Sequence, residues 1–163
     1  MLKSGERIPP NKLASWFINS VDSSSGEAMT HLKLQKLLYF TQAWYLANFD
    51  RPIFDEDMQA WTHGPVVPSI YDKYKANRWG VLDIEKSVNL PDDLIPFLSE
   101  LNRVYGQYSA KKLEEITHLE DPWKVTRGDI PLEARCTNPI DKLTIRNYYA
   151  KRLGKQEISQ LSH

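Results

Sequence analysis

Leu32-Lys33-Leu34-Gln35-Lys36-Leu37-Leu38-Tyr39-Phe40 opens the run whose reading decides the fold. Taken as a helix from Thr30, an N-cap residue, to Phe49, it gathers Leu34, Leu37, Leu38, Thr41, Trp44 and Tyr45 on one broad face. Phe40, Ala43 and Ala47 widen that face until little solvent-facing surface is left. A helix that is apolar nearly all round is the buried centre of its domain. One polar stripe interrupts it, Gln35, Tyr39 and Gln42 at i, i+4 and i+7. Buried polar groups need partners, so the stripe predicts bonds to loop backbone or to a ligand. Burial is expected for Leu34, Leu37, Leu38, Trp44, Ile70 and Leu101.

The second informative stretch is Trp61-Thr62-His63-Gly64-Pro65-Val66-Val67-Pro68-Ser69-Ile70-Tyr71. Two prolines fix φ and remove two N–H donors, so the His63–Pro68 segment reads as a preorganised loop exposing Val66 and Val67. The plainer alternative is that His63 and Gly64 only wedge against the Gln35/Tyr39/Gln42 stripe. Pro68 suits the first turn of a helix from Ser69 to about Asn77.

Working outward, Pro9-Pro10-Asn11 predicts a helix capped by Asn11 and carrying Leu13, Trp16, Phe17 and Val21, with Ser23-Ser24-Ser25-Gly26 breaking it. A short helix around 55–60 is one reading of the Asp55-Glu56-Asp57 trio, an extended piece the other. Trp79-Gly80 stops the helix begun at Ser69, and loose alternation over 81–88 allows a short β element. Further helices are expected from about Asp92 to Tyr105, from Ser109 to His118 closed by Asp121-Pro122-Trp123, and from Asn138-Pro139 to Leu153. The expected architecture is mainly α, one compact domain over residues 1–154 around a buried central helix. Residues 155–163 carry no packing pattern and read as a frayed tail.

The chain has 163 residues, enough for one full core and short for two. Lys plus Arg and Asp plus Glu both number 21, which argues against a general affinity for nucleic acid or anionic membranes. A single cysteine, Cys136, excludes an intramolecular disulfide framework. No secretory leader or membrane-spanning run is evident, so the expected location is the cytoplasm. Five tryptophans and eight tyrosines supply residue types that dominate protein–protein hot spots.

Catalytic patterns are missing from the sequence. His31, His63, His118 and His163 are isolated, and although the first three are conceivable as one metal site, no paired spacing supports it. Cys136 has no neighbouring base in sequence, and no nucleophile elbow or phosphate-binding glycine loop occurs. No enzyme, metal or cofactor is expected. Lys142, Arg146, Lys151, Arg152 and Lys155 form a basic segment interleaved with Tyr148 and Tyr149. Lys142, Arg146 and Arg152 are its candidate contacts to an acidic protein surface, or to phosphates as the weaker reading.

Four blocks in order resemble the Panacea domain family of SocA-like antitoxins, which includes proteins labelled phage-associated GepA. They are Lys33–Phe40, Ala60–Pro68 with Ile70-Tyr71, Tyr108–Leu113, and Ile116-Thr117-His118 leading to Pro122-Trp123. The resemblance spans about residues 12–150. It implies an α-rich fold and the antitoxin half of a toxin–antitoxin pair, neutralising a cognate protein toxin by direct contact. Family members face unrelated toxins, and one branch acts as an adaptor that delivers its toxin to a ClpXP-type AAA+ protease. The motif positions Lys33, Gln35, Tyr39, Gln42, Trp61, His63, Gly64, Pro65, Val66, Val67, Tyr71 and Trp123 carry over as fold-defining and candidate interaction residues. A phage-encoded nucleic-acid-binding regulator is the reading from another class, and a homodimer stays open.

Overall fold

A computed structural model describes residues 6–21, 29–78 and 80–153. Among these, seven α-helices surround one short hairpin: α1 Pro10–Asn19, α2 His31–Phe49, β1 Gln59–Trp61, β2 Gly64–Val66, α3 Pro68–Tyr74, α4 Ile95–Tyr105, α5 Ala110–His118, α6 Asp121–Arg127 and α7 Lys142–Ala150. The domain is mainly α, as expected.

Helix α2 is the axle. Its fourteen residues His31 and Leu34 through Leu46 are buried, and α1, α3, α4, α5, α7 and β2 all pack on it. Thr30 caps it as predicted, its Oγ1 accepting from Lys33 N at 3.2 Å. All six residues expected in the core are at most 1% exposed. Aromatics lock the far end. Phe40 and Tyr105 stack at 4.0 Å, and Trp44 Nε1 donates to Tyr105 Oη at 2.8 Å while meeting Tyr149 edge-on. Such pairs add directional preference to burial, which fixes how α4 and α7 seat on α2.

Four local expectations are corrected. Helix α1 starts at Pro10 with Pro9, not Asn11, in the capping position. The acidic trio does not start a helix. Asp55 pairs with Arg7, Glu56 accepts from Ser69, and Asp57 pairs with Lys142, so the carboxylates tie loops to their neighbours. Asp121-Pro122 opens α6 rather than closing α5, Pro122 standing in the first turn where a missing N–H costs nothing. Asn138-Pro139 does not start the last helix. Ala60 N donates to Asn138 O (3.0 Å) and Ile140 N to Met58 O (2.7 Å), so the segment lies beside β1. Proline suits that edge position, and Asp141 takes over as N-cap of α7.

The β structure lies at 59–66 instead of 81–88. In the latter stretch only Val81 forms a bridge, to Thr30. Side chains replace a ladder there: Glu85 accepts from Ser15 Oγ at 2.6 Å and from Tyr74 Oη at 2.8 Å, and Glu85 N donates to Asn19 Oδ1. The proposed breaks at Ser23–Gly26 and Trp79, and the tail 155–163, lie outside the described residues.

Candidate functional site

The hairpin and α2 build the site together. A two-residue turn, Thr62-His63, joins Trp61 to Gly64, and Gly64 takes φ +109. Its absent side chain matters as much as its φ. A Cβ there would stand 2.6 Å from Lys36 Cε and 2.9 Å from Thr117 Oγ1. The hairpin therefore presses its backbone onto the Lys36 side chain, which is fully buried and donates to Pro65 O at 3.1 Å.

The polar stripe of α2 finds its partners in loop backbone and in one acid. Gln35 clamps Val67 from both sides, Oε1 accepting from its N–H at 2.8 Å and Nε2 donating to its carbonyl at 3.3 Å. Two turns on, Gln42 repeats the arrangement, accepting from Ile53 N and donating to Phe54 O, both at 2.8 Å. Between them Tyr39 Oη donates to Glu120 Oε1 at 2.8 Å. Satisfied amides of this kind hold a path because either partner alone would be a buried orphan.

Glu120 sits in a cage of its own. Tyr149 Oη lies 2.7 Å from both its oxygens and Arg152 Nη1 3.3 Å from Oε2. Burial raises its pKa to about 7 against the opposing pull of the Tyr149, Tyr39 and Arg152 donors. Burial acts with the opposite sign on Lys36, lowering its pKa to about 7, with Glu114 pulling back upward. His31 and His118 are also pushed down, chiefly by burial.

Beside the clamp a cleft of about 770 Å³ opens between the start of α2, the hairpin, α3 and the 133–136 loop. An aromatic row forms part of its lining. Trp61 meets Tyr71 edge-on at 4.8 Å, and Tyr71 lies 5.3 Å from His31. Tyr71 is 38% exposed. Leu32, Val66 and Cys136 add apolar surface, and Lys75, Arg78, Arg135 and Glu133 bring charge to the cleft.

The structure sorts the residues singled out from sequence. Gln35, Trp61, His63, Val66 and Tyr71 come together at the cleft. His63, at the hairpin tip, has Nδ1 3.1 Å from Glu114 Oε1. Val66 and Val67 are buried at 5% and 0%, correcting the expectation that the loop displays them: Val67 lies in the core with its backbone clamped by Gln35, and Val66, at the end of β2, leaves only a sliver of surface to the cleft. Gly64 and Pro65 cover Lys36, while Tyr39 and Gln42 are interior. Lys33 Nζ donates to Gly106 O at 2.6 Å. Trp123 fastens α6 to the hairpin, Nε1 donating to Trp61 O at 2.8 Å, with His118 stacked on its ring at 4.0 Å.

Three cations of the basic segment are spent on intramolecular pairs, while Lys151 is exposed and Lys155 lies outside the described residues. Lys142 meets Asp57 at 2.7 Å, Arg146 meets Asp50 at 2.9 Å, and Arg152 meets Glu120. Sequence reasoning passed over the buried ions Lys36, Glu120 and Arg127. Arg127 donates to the carbonyls of Ala60, Pro131, Leu132 and Ala134. A signal for Lys36 was present, since a helix apolar on every side leaves no wet face for a lysine. Among the described residues no His, Cys, Asp or Glu group of three is placed to hold a metal ion.

This is a helical scaffold with an open, partly aromatic cleft. The chain belongs to the SocA-like antitoxin family: the family described as "Antitoxin SocA-like, Panacea domain" matches residues 34–124, which run from Leu34 in α2 through the hairpin, α3, α4 and α5 as far as Lys124 in α6. It is similar to Antitoxin SocA of Caulobacter vibrioides (strain NA1000 / CB15N), at 30% identity over 60% of this chain. The matched part spans 59% of that relative's length. No solved structure matches. No helix among the described residues is long and apolar enough to cross a membrane.

Proposed function

We infer that this protein is an antitoxin that neutralises a cognate protein toxin by binding it directly. The family match over residues 34–124 carries the reading. The arrangement of the matched residues supports it, because their buried members brace a hairpin whose Trp61 and His63, with Tyr71 of α3, line an accessible cleft. Aromatic side chains presented from a braced backbone lose little entropy on docking, which favours tight association. The motif residues thus divide by role. Lys33, Gln35, Tyr39, Gln42, Gly64, Pro65, Val66, Val67 and Trp123 hold the frame, and Trp61, His63 and Tyr71 offer contact surface.

The test is co-expression with the product of the neighbouring gene, scored by growth rescue and co-purification. Rescue with a stable complex is expected; persistent toxicity without a complex contradicts the reading. Toxin lifetime then separates two modes of neutralisation. Occlusion leaves the toxin as long-lived as before or longer, whereas delivery to a AAA+ protease shortens its life.

A further inference from the structure

We propose that the cleft beside the hairpin receives an acidic segment of the partner protein, with an apolar or aromatic side chain seated on the Trp61–Tyr71–His31 row. The proposal rests on the antitoxin reading and names the partner's chemistry at this site. Charge carries it. The chain as a whole has a formal net charge of zero, yet the cleft lining brings three permanent cations, Lys75, Arg78 and Arg135, against one acid, Glu133. All four are exposed.

The pairing of these cations points the same way. Lys142, Arg146 and Arg152 are each engaged by an acid of this chain. Arg78 and Arg135 engage no acid among the described residues, and Lys75 has only a 3.5 Å contact with exposed Asp72. Guanidinium groups at the rim of an apolar cleft are suited to bidentate capture of carboxylates. Arg78 also holds a backbone conformation, φ 52 and ψ −118, that side-chain-bearing residues rarely adopt.

The lining selects a peptide over a nucleic acid strand. Bases also stack on aromatic rows, but Leu32, Val66 and Cys136 give this cleft an apolar share that stacking does not use, and three cations are few for a strand carrying one charge per nucleotide. His31 is held toward its neutral form by burial and contributes ring surface. An acidic peptide with one apolar anchor uses both halves of the lining, ion pairs at the rim and burial on the row.

The experiment uses the purified full chain and three fluorescein-labelled probes. These are a short peptide with Asp and Glu flanking a Leu-Trp pair, the same peptide with Asn and Gln in place of the acids, and an oligothymidylate of equal charge. Anisotropy should show the acidic peptide binding about tenfold more tightly than its amide counterpart, the margin shrinking as salt rises. It should shift the Trp61 indole N–H resonance. Arg78→Glu with Arg135→Glu should remove the preference, while Lys124→Glu on α6, an exposed cation outside the lining, should leave it intact. Equal affinity for the two peptides, preference for the oligothymidylate, or indifference to the double reversal overturns the proposal.

The same double variant in the growth-rescue assay separates the two readings. Wild-type rescue without acidic-peptide preference would sink the cleft assignment and leave the antitoxin role standing. Peptide preference without wild-type rescue would do the reverse.

Discussion

Replacing Gly64 with alanine asks whether the hairpin is held against α2 by backbone-to-lysine contact. Two costs are expected. Gly64 lies at φ +109, and placing an L side chain in such a conformation costs about 1–3 kcal/mol. The new Cβ would also stand 2.6 Å from Lys36 Cε and 2.9 Å from Thr117 Oγ1, an overpacking of about 1–3 kcal/mol. Gly128 separates the two, since it has φ +56 but its Cβ would meet nothing nearer than Val125 O at 3.9 Å. Gly128→Ala should therefore carry the backbone cost alone. Urea unfolding should place Gly64→Ala about 1–3 kcal/mol below Gly128→Ala in stability. Combining Gly64→Ala with Lys36→Ala removes the obstructing carbon, so the double variant should be more stable than the sum of the singles by about 1 kcal/mol or more. Equal losses for the two glycine variants, or strict additivity in the double, would refute the packing described for the hairpin.

The buried ions give opposite pH signatures. Glu120 has a folded pKa of about 7 against 4.5, so the folded state binds the proton more tightly and stability falls as pH rises between those values. Glu120→Gln should flatten a slope of about 3 kcal/mol, read by denaturant titration at pH values across that window. Lys36, lowered from 10.5 to about 7, makes the unfolded chain the better proton binder, so stability rises with pH from about 7 upward. Lys36→Met should remove that rise of about 4–5 kcal/mol, and an unchanged slope would mean the ammonium is hydrated. Leu38→Ala, a truncation at a fully buried site of α2, should cost about 2–5 kcal/mol by calorimetry or denaturant. A loss under about 1 kcal/mol would contradict the central place of α2.

The fold was legible where local chemistry agreed with tertiary burial. Thr30, Ser109 and the apolar run 34–46 mark their helices without ambiguity, and the Gln35/Tyr39/Gln42 stripe forecast its own hydrogen bonds. It was misread where one residue type serves two settings. Pro139 after Asn138 has the appearance of a helix start, but Ala60 N in β1 and Met58 O just before it pair with this segment, and backbone pairing between stretches so far apart in the chain has no local signature. Pro122 reads as a terminator in the sequence because proline marks both ends of helices. The site was legible as a set of motif residues, without a division between frame and surface. Val66 and Val67 show why: nothing near them in sequence reveals that β2 faces α2. The cations at the cleft were hidden because Arg78 and Arg135 are far apart in the chain and unremarkable singly. Lys142, Arg146 and Arg152 of the conspicuous basic segment are taken up by Asp57, Asp50 and Glu120, acids no sequence pattern connects to them.

Stoichiometric inhibition in a purified system decides whether binding itself silences the toxin. The toxin's own activity is measured as this protein is titrated in, with protease and nucleic acid absent. Direct neutralisation predicts a linear fall to a sharp endpoint at a fixed molar ratio, with the complex eluting as one species. Full toxin activity at molar excess contradicts neutralisation by binding alone.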